Sequence, residues 1–163
     1  MTRCLTLIEK IESARREWNA ALVDLDDADF ERMVYRQWNL KDVTGHVFAY
    51  LELALHHVKS YQKRKRLASP RAASYAFFNR REAERLRVVS LAQLRAEMDA
   101  AHRELIVLVP TLSPDDLKKQ FPAQWTNSKY KTTMRYQLRM MAEHMQIHAR
   151  EVNKWREREH VGI

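Results

Sequence analysis

Cysteine occurs once in this 163-residue chain, glycine twice and proline four times. The lone thiol, Cys4, excludes an internal disulfide framework and suits a reducing compartment. So little glycine and proline leaves few places for tight turns or broken helices. With Leu, Ala, Arg, Lys and Glu abundant, the composition favours an all-α protein. No apolar run approaches the roughly 20 residues that a membrane-spanning helix needs. The first residues, soon followed by Glu9 and Glu12, lack the apolar stretch of a signal peptide. No internal repeat or low-complexity segment is visible. The expectation is a cytoplasmic protein that does not enter a membrane, folded as a single domain over residues 1–163, long enough to bury a sizeable core.

Acidic residues are scarce in one region. The formal net charge is +8, and ten of the 29 basic residues lie between Lys59 and Arg87, against two acids, Glu82 and Glu84. Outside that stretch acids and bases balance. A basic run can face nucleic acid, an acidic substrate or a membrane surface. It can equally be the solvated end of a helix and its loop. Without an aromatic-interleaved nucleic-acid motif, the second reading is favoured.

Periodicity supplies the helices. Cys4, Ile8, Ile11, Arg15, Trp18, Leu22 and Leu25 step by four and three over residues 2–25. Arg15 interrupts that seam, and its stem is expected along the core with its head in solvent. Residues 29–37 read as a loop or irregular turn. Asn39, with Asp42 three residues on, forms the start of a second helix, close to a capping box, that runs into the basic residues 62–66 and stops before Pro70. Val43, His46, Tyr50 and Leu53 form its inward stripe. His56 and His57, near its far end, are read as surface or packing residues. A further helical piece over 79–89 precedes a capping box at Ser90 and Gln93 that opens the next helix, with Leu91, Leu94, Met98, Ala101 and Leu105 at helical spacing. Ser113-Pro114-Asp115-Asp116 marks a short helix start. Residues 120–132, with Pro122 and Trp125, read as a long connection that could lie over the mouth of a site.

The last helix, over 132–159, carries the chemistry. Gln137, Met141, His144, His148, Glu151, Val152 and Trp155 share one stripe, so both imidazoles point inward. Two His at i and i+4 can approach one ion together. Four amphipathic segments joined by long connections make a four-helix bundle, and metal sites in bundles are built from inward side chains on facing helices. Alone, His46 reads as a core histidine. Grouped with His144 and His148 it completes a three-imidazole set with open coordination positions, which would lower the pKa of a bound water or thiol.

Trp38-Asn39-Leu40-Lys41-Asp42-Val43-Thr44-Gly45-His46 resembles the W-[ST]-x-K-[DE]-x-x-x-H segment of the DinB/YfiT-like superfamily. Asn79 with the charged helix after it and Ser90-Leu91-Ala92-Gln93-Leu94 resemble the middle of those proteins, and Glu143-His144-Met145-Gln146-Ile147-His148 resembles their H-x-x-x-H helix. The resemblance covers nearly the whole chain; Asn39 departs from the usual Ser or Thr but keeps capping ability. It implies a DinB-like four-helix bundle, often a homodimer, with a divalent metal (Zn or Ni first, Mn or Fe also possible) held by His46, His144 and His148. Relatives include thiol-dependent isomerases and S-transferases that act on small-molecule substrates with a low-molecular-weight thiol. A self-protection branch against a colibactin warhead resembles this chain around Trp125 and Asn153-Lys154-Trp155, but lacks the three histidines. On this reading Gln137 orients substrate, Glu151 partners an imidazole N–H, and Trp38, Tyr50, Trp125 and Met141 wall the pocket. The basic stretch would suit a carboxylated thiol or an acidic substrate. The alternative is a non-enzymatic stress-response or interaction protein, with nucleic acid a possible partner through residues 59–87 but not the favoured one.

Overall fold

A computed structural model describes the backbone of residues 2–35, 37–68, 72, 74–122 and 131–161. Its helices are α1 (Thr2–Ala21), α2 (Leu40–Arg64), α3 (Tyr75–Arg87), α4 (Leu91–Leu108), the short α5 (Pro114–Lys118) and α6 (Met134–Val161). Two small antiparallel hairpins accompany them: β1 (Met33–Tyr35) with β2 (Trp38–Asn39), and β3 (Gln120–Pro122) with β4 (Lys131–Thr133).

The four long helices form the expected bundle. α6 packs against α1 and α2, α2 packs against α4, and α3 lies on the outside of α2. Ile11 and Trp18 of α1, Leu40 and Leu51 of α2, Leu94, Met98 and Leu105 of α4, and Met134, Leu138, Met145 and Val152 of α6 are buried together. Within each helix these residues stand four, seven or eleven apart, one to three whole turns, which puts one stripe of the helix into the core. The helix ends follow local chemistry. Asn39 caps α2 by accepting from the Asp42 backbone N–H at 2.8 Å, and the Asp42 carboxylate accepts from the Asn39 N–H in return. α2 stops where Lys65 turns into the left-handed region at φ 56°.

Several expectations need correction. The region read as a loop before α2 holds a 3-10 turn (Asp29–Glu31) and strand β1, in register with the residues that start α2. α1 ends at Ala21, leaving Leu22 and Leu25 only partly buried beyond it. The side chain of Cys4 lies outside the described residues. The Arg15 head does not sit free in solvent: the residue is buried and its guanidinium pairs with Asp99 of α4. α3 begins four residues earlier than the charged run suggested, because Ser74 accepts from the Phe77 N–H and caps it. Ser90 caps α4, but the Gln93 side chain bonds Glu97 rather than returning to the cap. Thr132 belongs to β4, and α6 starts at Met134. The long connection is in part the β3–β4 hairpin; its tip, including Trp125, lies outside the described residues. No helix among the described residues is long and apolar enough to cross a membrane.

Candidate metal centre

His46 lies on the second turn of α2, and His144 and His148 lie one turn apart near the middle of α6. Because α2 and α6 pack directly, their inward stripes bring the three rings together. Nε2 of His144 lies 2.9 Å from Nε2 of His46 and 3.1 Å from Nε2 of His148. One ligand atom from each ring can be chosen so that all three lie within 4.8 Å of one another. Ring centroids are 4.5 to 5.0 Å apart, edge to face.

The surroundings keep these rings dry. Trp38, from β2, packs on His46 at 4.8 Å between ring centres. Tyr50, one turn along α2, contacts both His46 and His144, and its hydroxyl donates to Asn79 of α3. Burial, followed by the charge of neighbouring imidazoles, pushes His46 and His144 down to about 3. His148 is also lowered by burial, against an opposing pull from Glu151. Desolvation favours the neutral ring, the form that offers a lone pair.

His148 is held from behind. Its Nδ1 lies 2.6 Å from the Glu151 carboxylate, one turn further along α6. The Tyr35 hydroxyl donates to the same carboxylate oxygen and lies 3.4 Å from His148 Nδ1. A carboxylate at Nδ1 keeps the proton there and turns the Nε2 lone pair toward the cluster. Tyr35 was not anticipated, because its segment read as a loop. Strand β1 is only three residues long, Met33–Tyr35, too short for its sequence to have shown it.

Three neutral Nε2 atoms facing one another cannot all be satisfied by N–H···N bonds, and Nδ1 of His144 is buried without a hydrogen-bond partner. A cation bound about 2.0–2.1 Å from each of three imidazole nitrogens separates them by roughly 3.0–3.5 Å. The two spacings from His144 are close to that, and all three rings offer a ligand atom within 4.8 Å of the others, so the residues fit a divalent ion.

A groove of about 320 Å³ runs between α2 and α6 and ends at His144. Tyr50, Met141 and Gln137 line it, as do Tyr136, Met140 and the buried His57. Gln137 donates from Nε2 to Thr132 Oγ1 at 2.7 Å. Trp38 is not among the groove's described walls; its contact is with His46.

The basic stretch divides in two. Lys59 pairs with Glu104, Arg81 with Glu82, Arg85 with Glu82 and Glu52, and Arg87 with Asp42, so much of its charge is answered within the bundle. Lys63, Arg64 and Arg66, where α2 ends, are exposed and have no acidic partner among the described residues.

A profile of the DinB superfamily matches residues 10–152 of the chain. Solved structures share the fold at low identity. The sibling lethal factor precursor DfsB is 17% identical with a TM-score of 0.77, covering 96% of both chains. A mycothiol-dependent maleylpyruvate isomerase is 15% identical with a TM-score of 0.74, over 91% of this chain and 60% of its own. The colibactin self-resistance protein ClbS, solved in complex with double-stranded DNA, is 19% identical with a TM-score of 0.71, over 94% of both. No curated protein matches the chain in sequence.

Proposed function

The chain belongs to the DinB superfamily, and from that premise we propose a divalent-metal-binding protein that activates a low-molecular-weight thiol or water against a small electrophile, as a transferase, isomerase or hydrolase. The observation that carries this reading is the convergence of three neutral imidazoles from two separate helices. A thiol as co-reactant is supported by the mycothiol-dependent neighbour.

His46, His144 and His148 hold the ion; the family likeness points to Zn or Ni first, with Mn or Fe also possible. When bound, such an ion supplies Lewis acidity, favouring the deprotonated form of a thiol or water and polarising an electrophile. The remaining roles belong to the chain itself. Glu151 keeps the His148 proton on Nδ1, with Tyr35 steadying that carboxylate. Trp38 and Tyr50 exclude water from the rings. Gln137 offers an amide to a substrate in the groove. Assembly into a homodimer, which the family implies, belongs to this reading and is checked by analytical ultracentrifugation.

Metal analysis of tag-free protein tests the proposal. Stoichiometric divalent metal, lost in His144→Ala with the helical spectrum intact, supports it; folded protein that takes up no added Zn or Ni overturns it. A second reading, a nucleic-acid-associated protein, is favoured by one observation, the exposed cations where α2 ends, which have no acidic partner among the described residues. It predicts DNA binding that weakens steeply with salt and disappears when Lys63, Arg64 and Arg66 are replaced by Ser.

A further inference from the structure

In the sequence, the basic stretch would suit a carboxylated thiol or an acidic substrate, but the groove beside the candidate centre has a different character. Its walls are Leu53 and Ala54 of α2, Met140 and Met141 of α6, and the tyrosines at 50 and 136. Among the described residues, none of its lining side chains is a lysine, arginine, aspartate or glutamate. Arg85 and Arg87 of α3 pair with Glu52 and Asp42 of α2, Arg81 pairs with Glu82 of α3 itself, and neither these cations nor those where α2 ends belong to this lining. A carboxylate lodged against these walls, short of the histidine end, would leave water without a cation to meet it. A flat ring would instead gain thioether and aromatic contacts.

The rim is apolar as well. Tyr75 is 52% exposed, Tyr136 44% and Met140 39%, so the apolar lining continues out to solvent at the groove's opening. A volume of about 320 Å³ suits a one- or two-ring molecule and not a bulky conjugate. We propose that this groove binds the uncharged, flat apolar part of a small substrate, a neutral arene, and discriminates against carboxylates. This deepens the metal-dependent reading, which supplies the reason for a substrate to end at His144.

The test uses chelator-treated full-length protein at neutral pH and two probes of equal ring size, 2-naphthol and 2-naphthoate, titrated by calorimetry. Leaving out metal prevents naphthoate from binding through an ion. 2-Naphthol should bind more tightly by about tenfold or more, because only the anion loses hydration uncompensated. Ala54→Phe, which fills the groove, should abolish naphthol binding. Tyr136→Lys, an exposed change at the rim that the fold tolerates, should narrow or reverse the preference even if the first variant folds poorly. Equal or tighter binding of naphthoate overturns the proposal, as does binding of neither probe, or a preference that Tyr136→Lys leaves unchanged. Metal analysis of the same protein keeps the two readings apart: selective naphthol binding without metal uptake sinks only the metal centre, and metal uptake with naphthoate preferred sinks only this inference.

Discussion

At the scale of single residues, the three imidazoles set the behaviour in acid. In an unfolded chain each titrates near its ordinary value of 6.5, whereas His46 and His144 in the fold titrate near 3. Between those values the unfolded state binds protons that the folded state refuses. Stability of the metal-free protein should therefore fall as pH drops from about 6.5 toward 3, by up to about 1.4 kcal/mol per pH unit for each such ring. Above 6.5 these two groups add no slope. Urea unfolding of chelated protein across this range checks it, and His144→Gln should flatten the curve; an equal slope in the variant would contradict the assignment. The partners of His148 yield a second prediction. Glu151→Gln should weaken metal binding by about 10- to 100-fold, and Tyr35→Phe by less, since it steadies the carboxylate without touching the ring. Competition with a chromophoric chelator measures both. If Tyr35→Phe costs as much as Glu151→Gln, the tyrosine acts on the ion by another route.

At the scale of elements, α2 is the frame of the centre. Its start is fixed by the reciprocal Asn39–Asp42 bonds, so Asn39→Ala should lower unfolding stability by about 1 kcal/mol. Gly45, beside His46, lies against α3: a Cβ there would stand 3.3 Å from Leu86 Cβ. Gly45→Ala gains helix propensity of about 1 kcal/mol and gives most of it back in that contact. Gly45→Val should cost about 1–3 kcal/mol by overpacking and loosen the Tyr50–Asn79 bond behind His46. Thermal unfolding of the pair separates the two effects. The caps at Asn39, Ser90 and Ser113 and the stripes of α2, α4 and α6 were legible in the sequence, because each helix carries its own period and its own stop. The hairpins were not. A strand of two or three residues, such as Trp38–Asn39, is too short to show an alternation, and its pairing is set by partners elsewhere in the chain. Tyr35 stayed hidden for that reason, although Glu151, on a long helix, did not.

At the scale of the whole molecule, the core and the centre are separable. The largest fully buried side chains, from Trp18 and Phe30 to Leu138 and Met145, are all apolar, and none of them belongs to the histidine cluster. Chelation should leave the helical spectrum intact and remove only the stabilisation due to bound ligand, about 4 kcal/mol where free metal stood a thousandfold above its Kd. Collapse of the helices on chelation, followed by circular dichroism, would mean that the centre is a clasp holding α2 to α6. Surface charge was the least legible property. The sequence counts cations, but only the packing of α3 on α2 shows that Glu52 and Glu82 already answer Arg85.

The cluster joins positions 98 residues apart, His46 and His144. During synthesis, the first ring leaves the ribosome long before the other two exist. A cation can thus be captured tightly only after α6 has emerged and docked, so ion occupancy would certify that synthesis has passed α6, and a product stalled before it would emerge without the ion.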